Sequence, residues 1–382
     1  MDAPKEAPPA SIESRRSGWP WLALGALILV LAAGRVWLIG HFPEPDGDAQ
    51  GHLGIAAALL KDPLSVALHW VWLPGYHYLV AGLLAVGVTA RGVRLLSCAI
   101  AALLPLIVWR YARDTVDATV PRSARFAPFI AASLCAAMPI VNVLGTSAMQ
   151  ETLFTLLVLL TAWSIDTERF ALAGGTLAAA ALVRYEAWGA VGLLAGLRTL
   201  GFFPAIARRL PASLARVCRL PPVVVVPPLV AVAGWLLAHR VADGSWLGFL
   251  RELYRFTHEQ NASYSRGFVA DLLWFPVIEP YYLFGLTLPL FLLGARRAWR
   301  TGFVVPLGIY LFLLASYLGK GALGAARYYD SLTPFLCIAA ACGACALGER
   351  WRPALPLAFA AAFAHLVRLL ELSGRWTFHL RW

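Results

Sequence analysis

The chain has 382 residues, 60% of them hydrophobic and 14% charged, with a mean hydropathy of +0.68. This is too apolar for a water-soluble globular protein of that size and reads as a polytopic, all-α membrane protein. The formal charge of +11 is carried almost wholly by arginines in short loops between apolar runs, where loop asymmetry accounts for it, so no nucleic-acid partner is expected.

Residues 1–18, MDAPKEAPPASIESRRSG, are rich in Pro, Ala and Ser and carry Arg15 and Arg16 just before the first apolar run; they read as a disordered cytoplasmic tail. Trp19 to Gly40 forms the first span, with Trp19, Trp21 and Trp37 as interfacial anchors, and it lacks the small-residue cleavage site of a signal peptide. The stretch Pro43 to Leu60, PEPDGDAQGHLGIAAALL, then sets Asp46 and Asp48 at the membrane edge. Its apolar residues Leu53, Ala56, Ala57 and Leu60 recur at i, i+3, i+4, i+7, which predicts a short amphipathic helix with Asp48 in the first turn, where the helix dipole favours an acid.

Further apolar runs lie near 73–89, 93–110, 126–144, 149–165, 170–183, 187–203, 221–239, 276–294, 303–319, 328–347 and 353–370. Arginine clusters at 110–125, 198–219, 296–300 and 350–352 are expected in the cytoplasm. The first span exits at His41 and residues 110–125 must be back inside, so one of the two intervening runs does not cross. WVWLPGYHYLVAGLL, short and rich in aromatic residues, is the one expected to be an interfacial or re-entrant helix, the alternative being that it spans and the positive-inside rule fails at 110–125; about eleven spans are left in a single domain over 19–370. The largest outer segments are then 41–72 and 240–275, and 371–382 is a short tail. Cys342 and Cys345 make a lone CxxC inside an apolar run and read as small buried hydrophobes.

An ionisable group at mid-span costs roughly 2.5–3.5 kcal/mol on insertion scales and less near an end, so each calls for a reason. With the arginine loops inside, Asp46, Asp48, Glu151, Arg184, Tyr185, Glu186, the 240–275 segment, Lys320 and Arg327 all fall on the outer face. The carboxylates can take a hydroxyl proton or hold a divalent cation, and a guanidinium can hold two phosphate oxygens as a fork. Taken singly, each also has a bland reading. Asp46 and Asp48 fit a solvated helix cap and Glu151 a helix-start acid, while Arg184 with Glu186 and Arg327 with Asp330 fit local ion pairs. His258 and Glu259 lack metal-ligand spacing and read as loop surface.

The order of these features carries more than any one of them. A single span is followed by DGDAQGHLGIAAALL, then WLPGYHYL, GVRLLSC, SAMQETLF, LAAAALVRYEAW and finally RYYDSLTPF. This order resembles the GT-C glycosyltransferases, in the branch of the protein O-mannosyltransferases and the lipid A aminoarabinose transferase. The resemblance implies an inverting, multispanning hexosyltransferase that takes a sugar from a polyprenyl-phosphate carrier to an acceptor hydroxyl on the non-cytoplasmic face, as on the periplasmic side of a bacterial inner membrane. It implies Asp48 as the catalytic acid, because His52 and Ala56 follow it at the family's acid-aromatic-Ala spacing, and Glu151 as the second outer-loop acid; Asp46 departs from that pattern and is read as a helper. It sets Arg327 and Tyr328 near the lipid phosphate. Arg184, Tyr185, His52, His77 and Lys320 complete the expected substrate-binding set. No cofactor is required, although Asp46, Asp48 and Glu151 could hold a divalent metal. Leu73-Pro74-Gly75 departs from the family's lysine-Pro-Pro, and no C-terminal soluble domain follows. The residues leave open two rivals, a lipid-linked substrate transporter or flippase and a non-catalytic membrane subunit; the sugar and the acceptor are not legible.

Overall fold

The structure is a computed structural model that describes residues 19–44, 46–115, 126–263, 268–285, 287–319, 326–350 and 360. The expected tails 1–18 and 371–382, Lys320, and all but one residue of the 353–370 run lie outside the described residues. Within them the chain is all-α. In order, the helices are α1 (Trp19–His41), α2 (Gly47–Leu59), α3 (Pro74–Ala85), α4 (Ala90–Thr115), α5 (Ala127–Ala137), α6 (Pro139–Leu144), α7 (Glu151–Asp166), α8 (Phe170–Val183) and α9 (Glu186–Leu200). There follow α10 (Pro204–Ala207), α11 (Ala212–Val217), α12 (Pro222–Asp243), α13 (Gly248–Ser263), α14 (Phe268–Leu273), α15 (Glu279–Phe284), α16 (Thr287–Ala298), α17 (Val304–Leu318) and α18 (Thr333–Arg350). Among the described residues, five segments are long and apolar enough to cross a bilayer alone: α1, α4, α12, α17 with its leading turn, and Arg327–Gly348. The protein is an integral membrane protein.

The remaining apolar runs are built from shorter helices, and each break has a local cause. Pro139 splits the 126–144 run, because a residue before proline is pushed out of the α region; Met138 is extended, at φ −60 and ψ 125. Asn142 covers the carbonyls freed there, donating to the oxygens of Ala136 at 2.8 Å and Met138 at 2.9 Å, and accepts from Arg35 of α1 at 3.3 Å. The 276–294 run is likewise not one helix. Gly285 stands at φ +45, a region glycine enters without a Cβ clash, and ends α15 before α16 starts. The 240–275 segment, expected as an outer loop, is largely helical, with α13 as its main element.

Helix α3 is only 12 residues long, too short to cross by itself, as are α5, α8 and α9 in runs expected to span. Its N-terminus presses on the end of α8, where a Cβ on Gly75 would stand 2.8 Å from the Leu182 carbonyl oxygen. Glycine at this point, in the departure Leu73-Pro74-Gly75, is what lets the two backbones approach. Helix α16 packs along α18, α12 along α8, α17 along α9 and α4 along α5, and small side chains such as Ala131, Ala180, Ala190 and Ala340 fill the core between them. None of the six cysteines forms a disulfide.

Candidate active site

Five pieces of chain meet at one end of the bundle: the start of α2, the start of α7, the α8–α9 break, the turn before α18, and α13. Asp46 is the N-cap of α2, its Oδ1 accepting the Asp48 N–H at 2.8 Å, so a free amide of the first turn is satisfied. This leaves the Asp48 carboxylate free to project from the first turn. The buried stripe of α2 is Ala49, His52, Ala56 and Leu59, a rotation from the expected Leu53, Ala56, Ala57 and Leu60 face; Ala57 and Leu60 are exposed. The cause is His52, whose ring packs on Trp72 and Tyr76 and bonds to His77, so a side chain counted as polar belongs to the buried face.

A clasp holds this loop to the floor of the site. Glu44 Oε1 accepts from the Ser147 hydroxyl at 2.7 Å and Oε2 from the Ala148 N–H at 2.8 Å. Arg94 of α4 donates to the Phe42 carbonyl at 2.8 Å and the Thr146 carbonyl at 2.7 Å, and Tyr76 donates to the Ala148 carbonyl at 2.7 Å. Residues 145–150, non-helical and buried after the end of α6, lead straight to Glu151 at the first position of α7. Glu44 has no periodicity or spacing to mark it, and only its place two residues before Asp46 could have drawn notice.

The charged side chains converge there. Arg327 Nη2 donates to Asp48 Oδ2 at 2.6 Å, its Nη1 lies 3.9 Å from Asp46 Oδ2, and its Nε lies 3.8 Å from Glu151 Oε1. Arg184, in the extended residue between α8 and α9, donates to Glu151 and holds Glu186 through Nε at 3.0 Å and Nη2 at 2.6 Å. Trp188 Nε1 reaches back over that break to the Ala181 carbonyl at 2.9 Å. Tyr328 lies between the two guanidinium groups, its ring centre 5.3 Å from that of Arg184 and 6.0 Å from that of Arg327. Four carboxylates thus face two guanidiniums, and Glu151 Oε2, on a residue only 2% exposed, has no hydrogen-bond partner among the described residues. Burial lifts the Asp46 carboxyl above the usual carboxylate range, against the pull of Arg327. Asp330 does not pair with Arg327; it accepts from Thr155 at 2.7 Å.

The cluster opens into a cleft of about 270 Å3. Asp48, His52, Glu151, Arg184, Tyr185, Glu186, Arg327 and Tyr328 line its polar end, while Leu250, Leu253, Tyr254 and Thr257 of α13 and Phe312 and Leu313 of α17 wall the rest. A cleft with one charged end and apolar walls suits a ligand with an anionic head and a hydrocarbon tail. Tyr185 stacks on Phe249 with ring centres 5.6 Å apart. His77 is fully buried behind His52 and does not reach the cleft, and Asp46 lies at its edge as a cap. His258 is exposed on α13, stacked on Tyr254. The part α13 plays as a wall was not visible in the sequence, where the segment reads as polar and follows no site motif.

Asp46, Asp48 and Glu151 all face the Arg327 guanidinium, so a cation among them would meet a like charge. Among the described residues no group of three or more His, Cys, Asp or Glu side chains is arranged to hold a metal ion.

The fold matches a solved structure, that of ArnT from Cupriavidus metallidurans bound to undecaprenyl phosphate, with a TM-score of 0.54 and 15% identity over 94% of this chain and 72% of that one. The GT-C fold implied by the order of the motifs is the fold found. No family model matches the chain, and no curated protein matches it in sequence.

Proposed function

From the GT-C fold as premise, we propose that this protein transfers a sugar, with inversion, from a polyprenyl-phosphate carrier to an acceptor hydroxyl on the non-cytoplasmic face of the membrane, as on the periplasmic side of a bacterial inner membrane. The observation that carries this reading is the pairing of Asp48 with Arg327 at the polar end of an apolar-walled cleft, across 2.6 Å. A base for a hydroxyl and a fork for a phosphate stand side by side there. The ligand in the ArnT structure, undecaprenyl phosphate, has the chemistry that such a cleft would take.

In this mechanism the carrier phosphate enters the cleft and takes the Arg327 fork from Asp48. The freed carboxylate accepts the proton of the acceptor hydroxyl as that oxygen bonds to the anomeric carbon. The bond from the anomeric carbon to the phosphate oxygen breaks on the opposite face, and its electron pair stays with the phosphate. Arg327, backed by Tyr328 and Arg184, follows the growing charge on that oxygen. Glu151 Oε2, without a hydrogen-bond partner among the described residues, accepts from a sugar hydroxyl and orients the ring. No metal is needed for the leaving group, because the guanidinium carries the compensating charge.

Purified protein in lipid nanodiscs, given a panel of labelled polyprenyl-phosphate sugars and acceptor lipids, tests the proposal. Release of free polyprenyl phosphate together with a glycosylated acceptor is expected. Movement of the intact lipid-linked sugar across a bilayer, with no cleavage of any donor, would overturn it in favour of a flippase.

A further inference from the structure

Behind the cleft lies a chain of buried histidines for which the transfer mechanism has no use. His52 Nδ1 is 2.7 Å from His77 Nε2, and His77 Nδ1 is 2.8 Å from His69 Nδ1. All three residues are 0% exposed. These are hydrogen-bond distances, shorter than the separation of two nitrogens sharing a tetrahedral metal at about 2.0–2.1 Å from each. Among the described residues the outer nitrogens, His52 Nε2 and His69 Nε2, have no hydrogen-bond partner, and neither has Nε2 of His239. Trp235 lies edge-on to both His69 and His239, with ring centres 5.4 and 4.6 Å away. His239 Nδ1 in turn bonds Asp243 at 2.5 Å, whose side chain is 36% exposed.

Resting on the transfer reading above, we propose that His52, His77, His69, His239 and Asp243 form a proton relay that carries the acceptor's proton from Asp48 out to solvent. Asp48 and His52 stand one turn apart on α2 and line the same cleft, neighbours on one helix face. The chain works through neutral imidazoles. Burial holds His52 down to about 3 and His69 down to about 4, with Arg184 and Arg327 adding to the first and His239 to the second. In one tautomer set His52 Nδ1–H donates to His77 Nε2 and His77 Nδ1–H donates to His69 Nδ1, leaving a lone pair on His52 Nε2 and a proton on His69 Nε2. A proton arriving at His52 Nε2 moves each of the two shared protons one step along. The proton on His69 Nε2 leaves toward His239 Nε2, by way of water where the rings do not touch, and the proton on His239 Nδ1 passes to Asp243 and then to solvent. One proton enters and one leaves, no charge stays buried, and ring rotation resets the tautomers. The Asp243 end does not line the cleft.

Two variants and one spectrum test the relay. His77→Gln keeps a donor and an acceptor between its neighbours but cannot pass a proton. It is expected to lower kcat about tenfold while donor KM and the melting temperature stay at wild-type values. Asp243→Asn, at the far end and outside the cleft, is expected to give the same signature. Wild-type turnover in either variant, or a fall in kcat accompanied by raised KM and lower melting temperature, would overturn the relay in favour of a structural chain. Nitrogen-15 spectra of histidine-labelled wild-type protein read it without turnover. Averaged shifts at both His77 nitrogens are expected, and one fixed N–H with one fixed lone pair would contradict it. A wild-type protein that cleaves no donor counts against the transfer reading, whereas the spectra judge the relay alone.

Discussion

Arg327 donates to Asp48 across 2.6 Å although 279 residues separate them in the chain. The same guanidinium lies within 4 Å of carboxylate oxygens of Asp46 and Glu151, at 3.9 and 3.8 Å. It is therefore a counter-ion shared by the expected acids, with the Asp48 contact the closest. In the proposed mechanism an anion that enters the cleft competes with Asp48 for the fork, so that binding of the carrier phosphate and release of the base become one event.

Asp48→Asn keeps the shape and the place of the side chain but cannot take a proton. Transfer is expected to fall by about 100-fold or more, with donor KM little changed. Retention of more than about a tenth of wild-type kcat would remove Asp48 from the role of base.

Asp46 acts through its cap, because its Oδ1 holds the Asp48 N–H. Asp46→Asn retains an acceptor there and should keep most of the activity. Asp46→Ala should lose about 1 kcal/mol of local stability and loosen the first turn of α2. Hydrogen exchange of the Asp48 amide, faster in the alanine variant than in the asparagine variant, checks this.

Arg184 holds two acids in a nearly closed space, its side chain 8% exposed against 3% for Glu151 and 9% for Glu186. Arg184→Met would leave Glu186 buried without a counter-charge and Glu151 with only the Arg327 guanidinium at 3.8 Å, a loss of about 3–5 kcal/mol, visible as a lower thermal midpoint in detergent. Adding Glu186→Gln should recover part of the loss, and failure to recover any would show that Arg184 is not the charge that keeps Glu186 in place.

The charged residues that the fold brings to the cleft draw notice in the sequence because an ionisable group beside an apolar run is expensive, yet each taken singly has a bland reading, and it is the order of the motifs that singles out Asp48, Glu151, Arg184 and Arg327. Their pairing was legible only in part: the local pair of Arg184 with Glu186 forms as the spacing allows. Local pairs such as Arg327 with Asp330 fit the spacing equally well, yet the fold sets Arg327 on Asp48 and buries Asp330 against Thr155. Apolar periodicity failed on α2 because it scores histidine as polar, and His52 is the residue that locks the helix to α3. His69 and His239 carry no signal at all as single residues, and only the ring contacts connect them. The Pro139 break could be read from proline chemistry, whereas the α13 wall depends on how a polar helix folds back over the cleft.

The buried histidines also set a pH dependence. His52 and His69 have folded pKa values of about 3 and about 4, well below the unfolded value of 6.5. The unfolded chain therefore binds more protons than the folded one below pH 6.5, and the stability these groups contribute above that value is lost as pH falls toward their folded pKa values. Each loses about 1.4 kcal/mol per pH unit once well below 6.5. Asp46 works the other way, its burial favouring the protonated folded form, but only within the carboxylate range. The thermal midpoint should fall between about pH 7 and about pH 5, and less steeply in His69→Gln. A flat profile would mean that the imidazoles are open to protons in the folded protein.

The most direct test of the shared fork is equilibrium binding of undecaprenyl phosphate to wild type, Arg327→Ala and Asp48→Asn in the same nanodiscs. If the carrier phosphate takes the guanidinium from Asp48, Arg327→Ala should weaken binding by about tenfold or more, as expected for the loss of a charge-assisted hydrogen bond. Asp48→Asn, by removing the competing carboxylate, should bind at least as tightly as wild type. Wild-type affinity in Arg327→Ala, or a loss in Asp48→Asn equal to that in Arg327→Ala, would contradict the account.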